Sequence, residues 1–270
     1  MTPAAVDIFS LAGRCLAATQ VEDKLERSEA AAALIAVGKF TLDQAVAPPV
    51  SIAQPGRPPR PHLVPPRQLA QRGLGTPQGR AALVHAVAHI EFNAIDLAWD
   101  AVYRFRGMPA EYYRDWAAVA GDETRHFRLL AARLAELEHA YGDFDAHNGL
   151  WEMAVKTSES CLARMALVPR VLEARGLDVT PAMIQRLRSV GDTRTVEILQ
   201  VILREEVAHV AAGSHWFAWC CARDGVDADQ TFAHLLREYA GGILKPPFNE
   251  AARRAAGFSA AEMAGLLASA

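Results

Sequence analysis

The sequence predicts an all-α protein built on four long helices, with further helices at both ends and a proline-rich arm. Three observations carry that reading. From residue 77 onward apolar residues recur with a helical period. Capping signals punctuate the chain: Thr76-Pro77 and Thr180-Pro181 each pair an N-cap with proline at the first helical position, and Gly107, Gly142, Gly176 and Gly225 stand where helices stop. No stretch alternates as a strand would.

Taken in order, residues 4–40 are alanine-rich and periodic, and read as one or two short helices. Residues 47–66 hold eight of the fifteen prolines. Proline fixes φ and removes a backbone donor, so this stretch is an extended arm. Long helices then span 77–106, 109–141, 150–175 and 192–223, with a short helix at 181–189 before the last of them. Asp227 and Ser259, with Gln230 and Glu262 three residues on, cap two smaller C-terminal helices. Four helices of this length suggest a four-helix bundle. The chain divides into an N-terminal extension (1–46), a basic arm (47–76), the bundle (77–223) and a C-terminal extension (224–270).

Composition bounds the function. The 270 residues carry a net charge of −3 and are 51% hydrophobic, enough for a core and not globally basic, which excludes a wholly basic nucleic-acid binder. Cys15, Cys161, Cys220 and Cys221 have no CxxC spacing; they exclude a disulfide scaffold or zinc ribbon and fit a reducing cytoplasm. No basic segment followed by an apolar one opens the chain, so no signal peptide is expected. The longest charge-free apolar run, Val207 to Ala222, is 16 residues with two histidines, short and polar for a membrane span.

The chemistry lies in carboxylates on apolar faces. Val84, Val87, Ala88, Ala94, Ile95 and Ala98 share one face of the first long helix, and Glu91 falls inside it. Glu123 and His126 lie within the face made by Trp116, Val119, Ala120, Phe127, Leu130 and Leu134. Glu206 and His209 lie within the face of Leu199, Ile202, Leu203, Val210, Gly213 and Phe217. Burying an ionised carboxylate without a partner costs several kcal/mol. With no Lys or Arg on these faces, a divalent metal is the economical counter-charge. A Glu and a His three residues apart project to one side of a helix. Two such pairs, plus one Glu from each remaining helix, make the ligand set of a carboxylate-bridged di-metal site in a bundle. The helix at 150–175 offers Glu152, Glu159 and Glu173 for the fourth carboxylate. Glu173 is favoured because Glu91 to Glu123 spans 32 residues and Glu173 to Glu206 spans 33, so the chain reads as two comparable halves; Glu159 is the alternative.

At these residues the chain resembles ferritin-like di-iron carboxylate proteins, over roughly residues 77–223. It is most similar to an uncharacterised bacterial ferritin-like family in His89-Ile90-Glu91, Gly121-Asp122-Glu123-Thr124-Arg125-His126-Phe127, Leu172-Glu173-Ala174-Arg175-Gly176-Leu177-Asp178 and Glu205-Glu206-Val207-Ala208-His209. More distantly it resembles di-iron tRNA hydroxylases, which carry a Glu-Ala-Arg motif on the third ligand helix. The resemblance implies a metal site at Glu91, Glu123, His126, Glu173, Glu206 and His209, with Glu123 and Glu206 bridging and no catalytic residue beyond the ligands. Two iron ions are the expected cofactor, with manganese or zinc as substitutes. The expected activity is a non-haem oxidase or monooxygenase taking O₂, a small-molecule substrate and electrons from a donor protein. The rivals are a non-catalytic or ferroxidase-type metal protein and an RNA-modifying hydroxylase.

Other features have plainer expectations. His85 and His89 point off the ligand axis and read as hydrogen-bonded interior histidines. His215 and Trp216 read as core or bundle-end packing. Asp122 and Glu205 read as solvated or supporting groups. Between Asp43 and Glu91 there is no acid but five arginines, Arg57, Arg60, Arg67, Arg72 and Arg80. This arm either binds RNA or a phosphorylated substrate, or lies along the bundle with its arginines on surface acids. Cys220-Cys221 read as buried thiols, and Lys245-Pro246-Pro247-Phe248-Asn249 as a non-helical break over a pocket mouth.

Overall fold

The computed structural model describes residues 6–42, 47–239 and 244–268; the outermost residues of both predicted extensions, and residues 43–46 and 240–243 within them, lie outside these. The described residues are overwhelmingly helical and form two compact units, Met1–Val155 and Lys156–Ala270.

The first unit opens with β1 (Val6–Asp7), paired in parallel with β2 (Phe40–Thr41). Two-residue strands are too short to show alternation, which is why the sequence did not predict them. Between them lie α1 (Ile8–Ala17) and α2 (Val21–Ala36). Asp7 caps α1, accepting from the Ser10 amide at 2.6 Å. The proline-rich segment is extended and ends in a 3₁₀ turn, Pro66–Gln68. It is laced down by backbone bonds from Gly56 to Leu16 (2.7 Å), from Val64 to Ala146 (2.8 Å) and from Ala146 back to His62 (3.0 Å). Three of the five arginines between Asp43 and Glu91 make contacts to neutral groups. Arg57 donates to Asn148 Oδ1 at 3.0 Å, Arg72 lies 5.1 Å from the Phe144 ring, and Arg80 donates to the Leu74 carbonyl.

The centre of this unit is the hairpin of α3 (Pro77–Arg104) and α4 (Ala110–Glu136). Thr76 caps α3 through its Oγ1, 3.0 Å from the Gly79 amide, as the Thr-Pro signal predicts. Gly107 turns the chain at φ +71°. α4 stops before its predicted end because Glu138 takes the left-handed conformation (φ 61°), and the His139 amide closes back onto the Leu134 carbonyl at 2.9 Å. α3 is long and apolar enough by composition to cross a membrane, but 78% of that window is buried in the protein. Its interior also holds charge. Asp96 pairs with Lys24 of α2, both fully buried. One turn on, Asp100 receives a two-pronged bond from Arg104 at 2.7–3.1 Å.

α5 (Gly149–Lys156) ends at the unit boundary. The second unit departs from the single helix predicted over 150–175. After a break at 157–160 come α6 (Cys161–Leu167), a π-helical turn (Val168–Glu173) and α7 (Ala174–Ser189). Gly176 and Thr180-Pro181 do not end or start a helix; they lie inside α7. Pro181 deprives the Leu177 carbonyl of its i+4 donor, and the Asn249 side-chain amide supplies one at 3.1 Å. A tertiary bond thus overrides a local boundary signal. α8 (Thr193–Asp224) matches the range predicted for it, is capped by Asp192 and ends at left-handed Gly225. α9 (Ala228–Tyr239), α10 (Glu250–Ala255) and α11 (Ala260–Ala268) follow. Asp227 caps the first of these, and Ser259 with Glu262 forms a reciprocal capping box at the last (2.8 and 3.0 Å). α10, capped by Asn249, was not anticipated.

Lys24→Met removes the cation that offsets Asp96. Burial raises the Asp96 pKa to about 6 even against the pull of Lys24. A raised carboxyl pKa costs stability as pH climbs through it, and the variant's shift is larger still. Urea denaturation is expected to show a loss of about 3–5 kcal/mol at pH 8 and a smaller loss at pH 5.

Candidate metal centre

Glu91 sits midway along α3. Glu123 and His126 sit one turn apart on α4, and the antiparallel hairpin brings all three together. His126 Nδ1 lies 3.1 Å from Glu91 Oε2 and 3.4 Å from Glu123 Oε2. One ligand atom from each lies within 4.8 Å of the others. All three are buried, Glu123 at 1% exposure and His126 at 0%. The residues that follow Glu91 and His126, Phe92 and Phe127, pack with tilted rings 5.2 Å apart and tie the two helices together. Tyr141 closes on both rings, at 5.2 and 5.0 Å.

Burial opposes protonation of His126, but hydrogen bonds and charge from Glu123 and Glu91 outweigh it and raise its pKa to about 11. Without metal the imidazolium therefore neutralises part of the carboxylate charge. That contribution to stability is complete below about pH 6.5 and is lost as pH climbs toward 11. Two carboxylates and an imidazole are hard-to-borderline donors suited to first-row divalent ions. The buried cluster can hold a metal ion.

In the second unit α8 carries Glu206 and His209 one turn apart, with Nδ1 3.5 Å from Oε1. Both are buried. Glu173 is buried at the end of the π-helical turn, whereas Glu152 and Glu159 are exposed. The segment bearing Glu173 runs antiparallel to α8, and its register is set by Pro169 against Gly213. A Cβ on Gly213 would meet the proline ring at 2.4 Å. One turn from that contact along each helix, in opposite directions, stand Glu173 and His209.

Each unit thus pairs a helix bearing a single buried Glu with a helix bearing Glu-x-x-His. His85 and His89 are interior. His85 accepts from the Gly142 amide at 2.9 Å, and His89 Nδ1 meets the Tyr141 hydroxyl at 2.9 Å. Burial lowers both pKa values to about 4, so both rings are neutral at pH 7. Trp216 is core, but His215 is exposed, edge-on to it at 4.7 Å. Asp122 is half-buried and pairs with Arg125. All four cysteines are buried. The sequence reading missed Tyr141 and Asp96; their partners lie on other elements, so no local spacing marks them.

A family model described as "Protein of unknown function (DUF455)" matches residues 17–264. A Haemophilus influenzae protein described as "Uncharacterized protein" is 45% identical over 213 residues, covering 76% of this chain and 74% of that one. No solved structure matches.

Metal uptake at the cluster requires neutral His126, which holds its proton below about pH 11. Calorimetric titration with Mn²⁺ at pH 7.5, in two buffers of different ionisation enthalpy, is expected to show release of about one proton per His126 displaced. His126→Gln should abolish that release. Uptake without proton release by the parent protein would contradict the assigned protonation.

Proposed function

The chain belongs to the family described as Protein of unknown function (DUF455), and for this member we propose a non-haem di-iron oxidase or monooxygenase of ferritin-like type acting on an organic substrate. The observation that carries this reading is the buried Glu91–Glu123–His126 cluster, together with the recurrence of its residue pattern as Glu173, Glu206 and His209 in the second unit. These six side chains would hold two ions. Four carboxylates contribute −4 and two divalent ions +4, so the filled site would be close to neutral, which removes the burial penalty of the acids. Iron would supply the activation of O₂ and the transfer of electrons to it from substrate or donor; manganese and zinc compete for the same donors.

The chain's own residues would do the rest. Glu91 and Glu123 present oxygens to one point, and His126 yields its proton when it ligates. Phe92 and Phe127, next in sequence to Glu91 and His126, pack with Tyr141 and would keep water from the first-unit cluster. Neutral His89 orients the Tyr141 hydroxyl. Four buried cysteines without CxxC spacing suit the reducing cytoplasm as compartment.

Anaerobic loading with Fe(II), followed by O₂ in an oxygen electrode, tests the reading. The expected result is two iron ions per chain and O₂ consumption in proportion to them. Glu123→Ala and Glu206→Ala should each bind less than two and consume at least tenfold less O₂. Two tightly bound ions with no O₂ uptake would favour a non-catalytic metal protein and overturn the oxidase.

A further inference from the structure

The turn that carries Glu173 is unusual in itself. A π-helical turn contains one residue more than an α-turn spanning the same ladder, and such turns cluster at functional sites. Relaxation to α-helix would swing Glu173 by about 100° relative to Val168. Something must therefore hold the turn open, and in the second unit the surrounding contacts converge from one segment, residues 244–268.

Arg170, inside the turn and fully buried, donates to Glu262 Oε2 at 2.6 Å and to Ser214 Oγ at 3.1 Å. Its guanidinium lies 4.8, 4.3 and 4.5 Å from the rings of Phe217, Phe232 and Phe258. One turn beyond Glu173, Asp178 receives a two-pronged bond from Arg253 at 2.8 and 3.0 Å. Arg253 in turn lies 4.9 Å from the ring of Phe258. Arg175 donates to the Lys245 carbonyl at 2.5 Å, and Asn249 supplies the bond that Pro181 removes. So contacts to residues 245–262 bracket Glu173 on both sides, at Arg170 before it and at Arg175, Leu177 and Asp178 after it. On the other flank, Pro169 locks into the space left by Gly213.

We propose that residues 244–268 act as a clamp that fixes the π-helical turn and thereby positions Glu173 to ligate metal, with Arg170, Asp178, Arg253 and Glu262 as positioning residues. The inference rests on the reading of Glu173 as a ligand, and it explains why the C-terminal extension is tied by two fully desolvated ion pairs to the neighbours of that one residue. A buried Arg–carboxylate fork is directional, so it sets the rotation of the helix as well as its position.

The test uses Co²⁺ as probe on the full-length chain, read by titration and by the visible absorption of the bound ion. Glu262→Gln keeps the size of the side chain and can still cap α11, but removes the charge facing Arg170. The expected result is a variant with parent-like circular dichroism that binds its second Co²⁺ about ten- to a hundredfold more weakly, with absorption bands shifted as in Glu173→Gln. The double variant E173Q/E262Q should be no weaker than E173Q, because both changes disable one ligand. Should E262Q fail to fold, Phe258→Leu, which removes the ring lying against both arginines, should shift the same bands in the same direction. Parent-like Co²⁺ affinity and bands in the folded variant, or additive losses in the double, would overturn the clamp while leaving the metal site standing. A parent chain that takes up no Co²⁺ would overturn both.

Discussion

Charge buried inside helices is the constraint on which this structure turns. Acids in the described interior are matched by nearby basic groups, and the kind of base differs with the place. Asp96 has Lys24, Asp100 has Arg104, Asp178 has Arg253, and Glu262 has Arg170. Three of these pairs fasten one element to another, and Asp100–Arg104 lies within α3. At Glu91, and at Glu123 beside it, the counter-group is an imidazole. An imidazolium can surrender its proton to an incoming cation, as lysine and arginine do not readily do. The fold therefore uses non-exchangeable charge where it needs a joint and exchangeable charge where it needs a site.

The second organising fact is repetition. Helices bearing one interior glutamate alternate with helices bearing Glu-x-x-His, once in each compact unit. In the first unit the pair α3–α4 is joined by a short connection around Gly107 and stiffened by the Phe92–Phe127 contact. In the second, the glutamate helix is broken by a π-helical turn and pinned by Gly213 against Pro169. The same two-helix plan is thus stabilised by aromatic packing in one case and by close backbone approach with buried arginines in the other.

What could be read from the sequence follows from how local the determinants are. α3 begins where Thr76 announces it, because a cap is made by residues three apart. Burial of Glu91, Glu123, His126, Glu206 and His209 follows from periodicity, which an uninterrupted helix preserves. Periodicity fails at 150–190, where the helices predicted at 150–175 and 181–189 are α5, α6, a π-helical turn and α7. A π-helical turn shifts the phase by a residue, and no composition rule marks it. Thr180-Pro181 looks like a helix start, yet a donor 72 positions later in the chain lets α7 run through it. Lys24 beneath Asp96 was equally invisible, since a pair separated by 72 residues leaves no spacing to detect.

The repair at Pro181 has a consequence for how the protein is made. Leu177 is synthesised long before Asn249, and its carbonyl waits for that amide. Until residues 249–262 leave the ribosome, α7 carries an unmatched acceptor, and Asp178 and Arg170 lack Arg253 and Glu262. The second unit consequently matures late in synthesis, whereas α3 and α4 are neighbours in sequence and can pair as soon as both emerge.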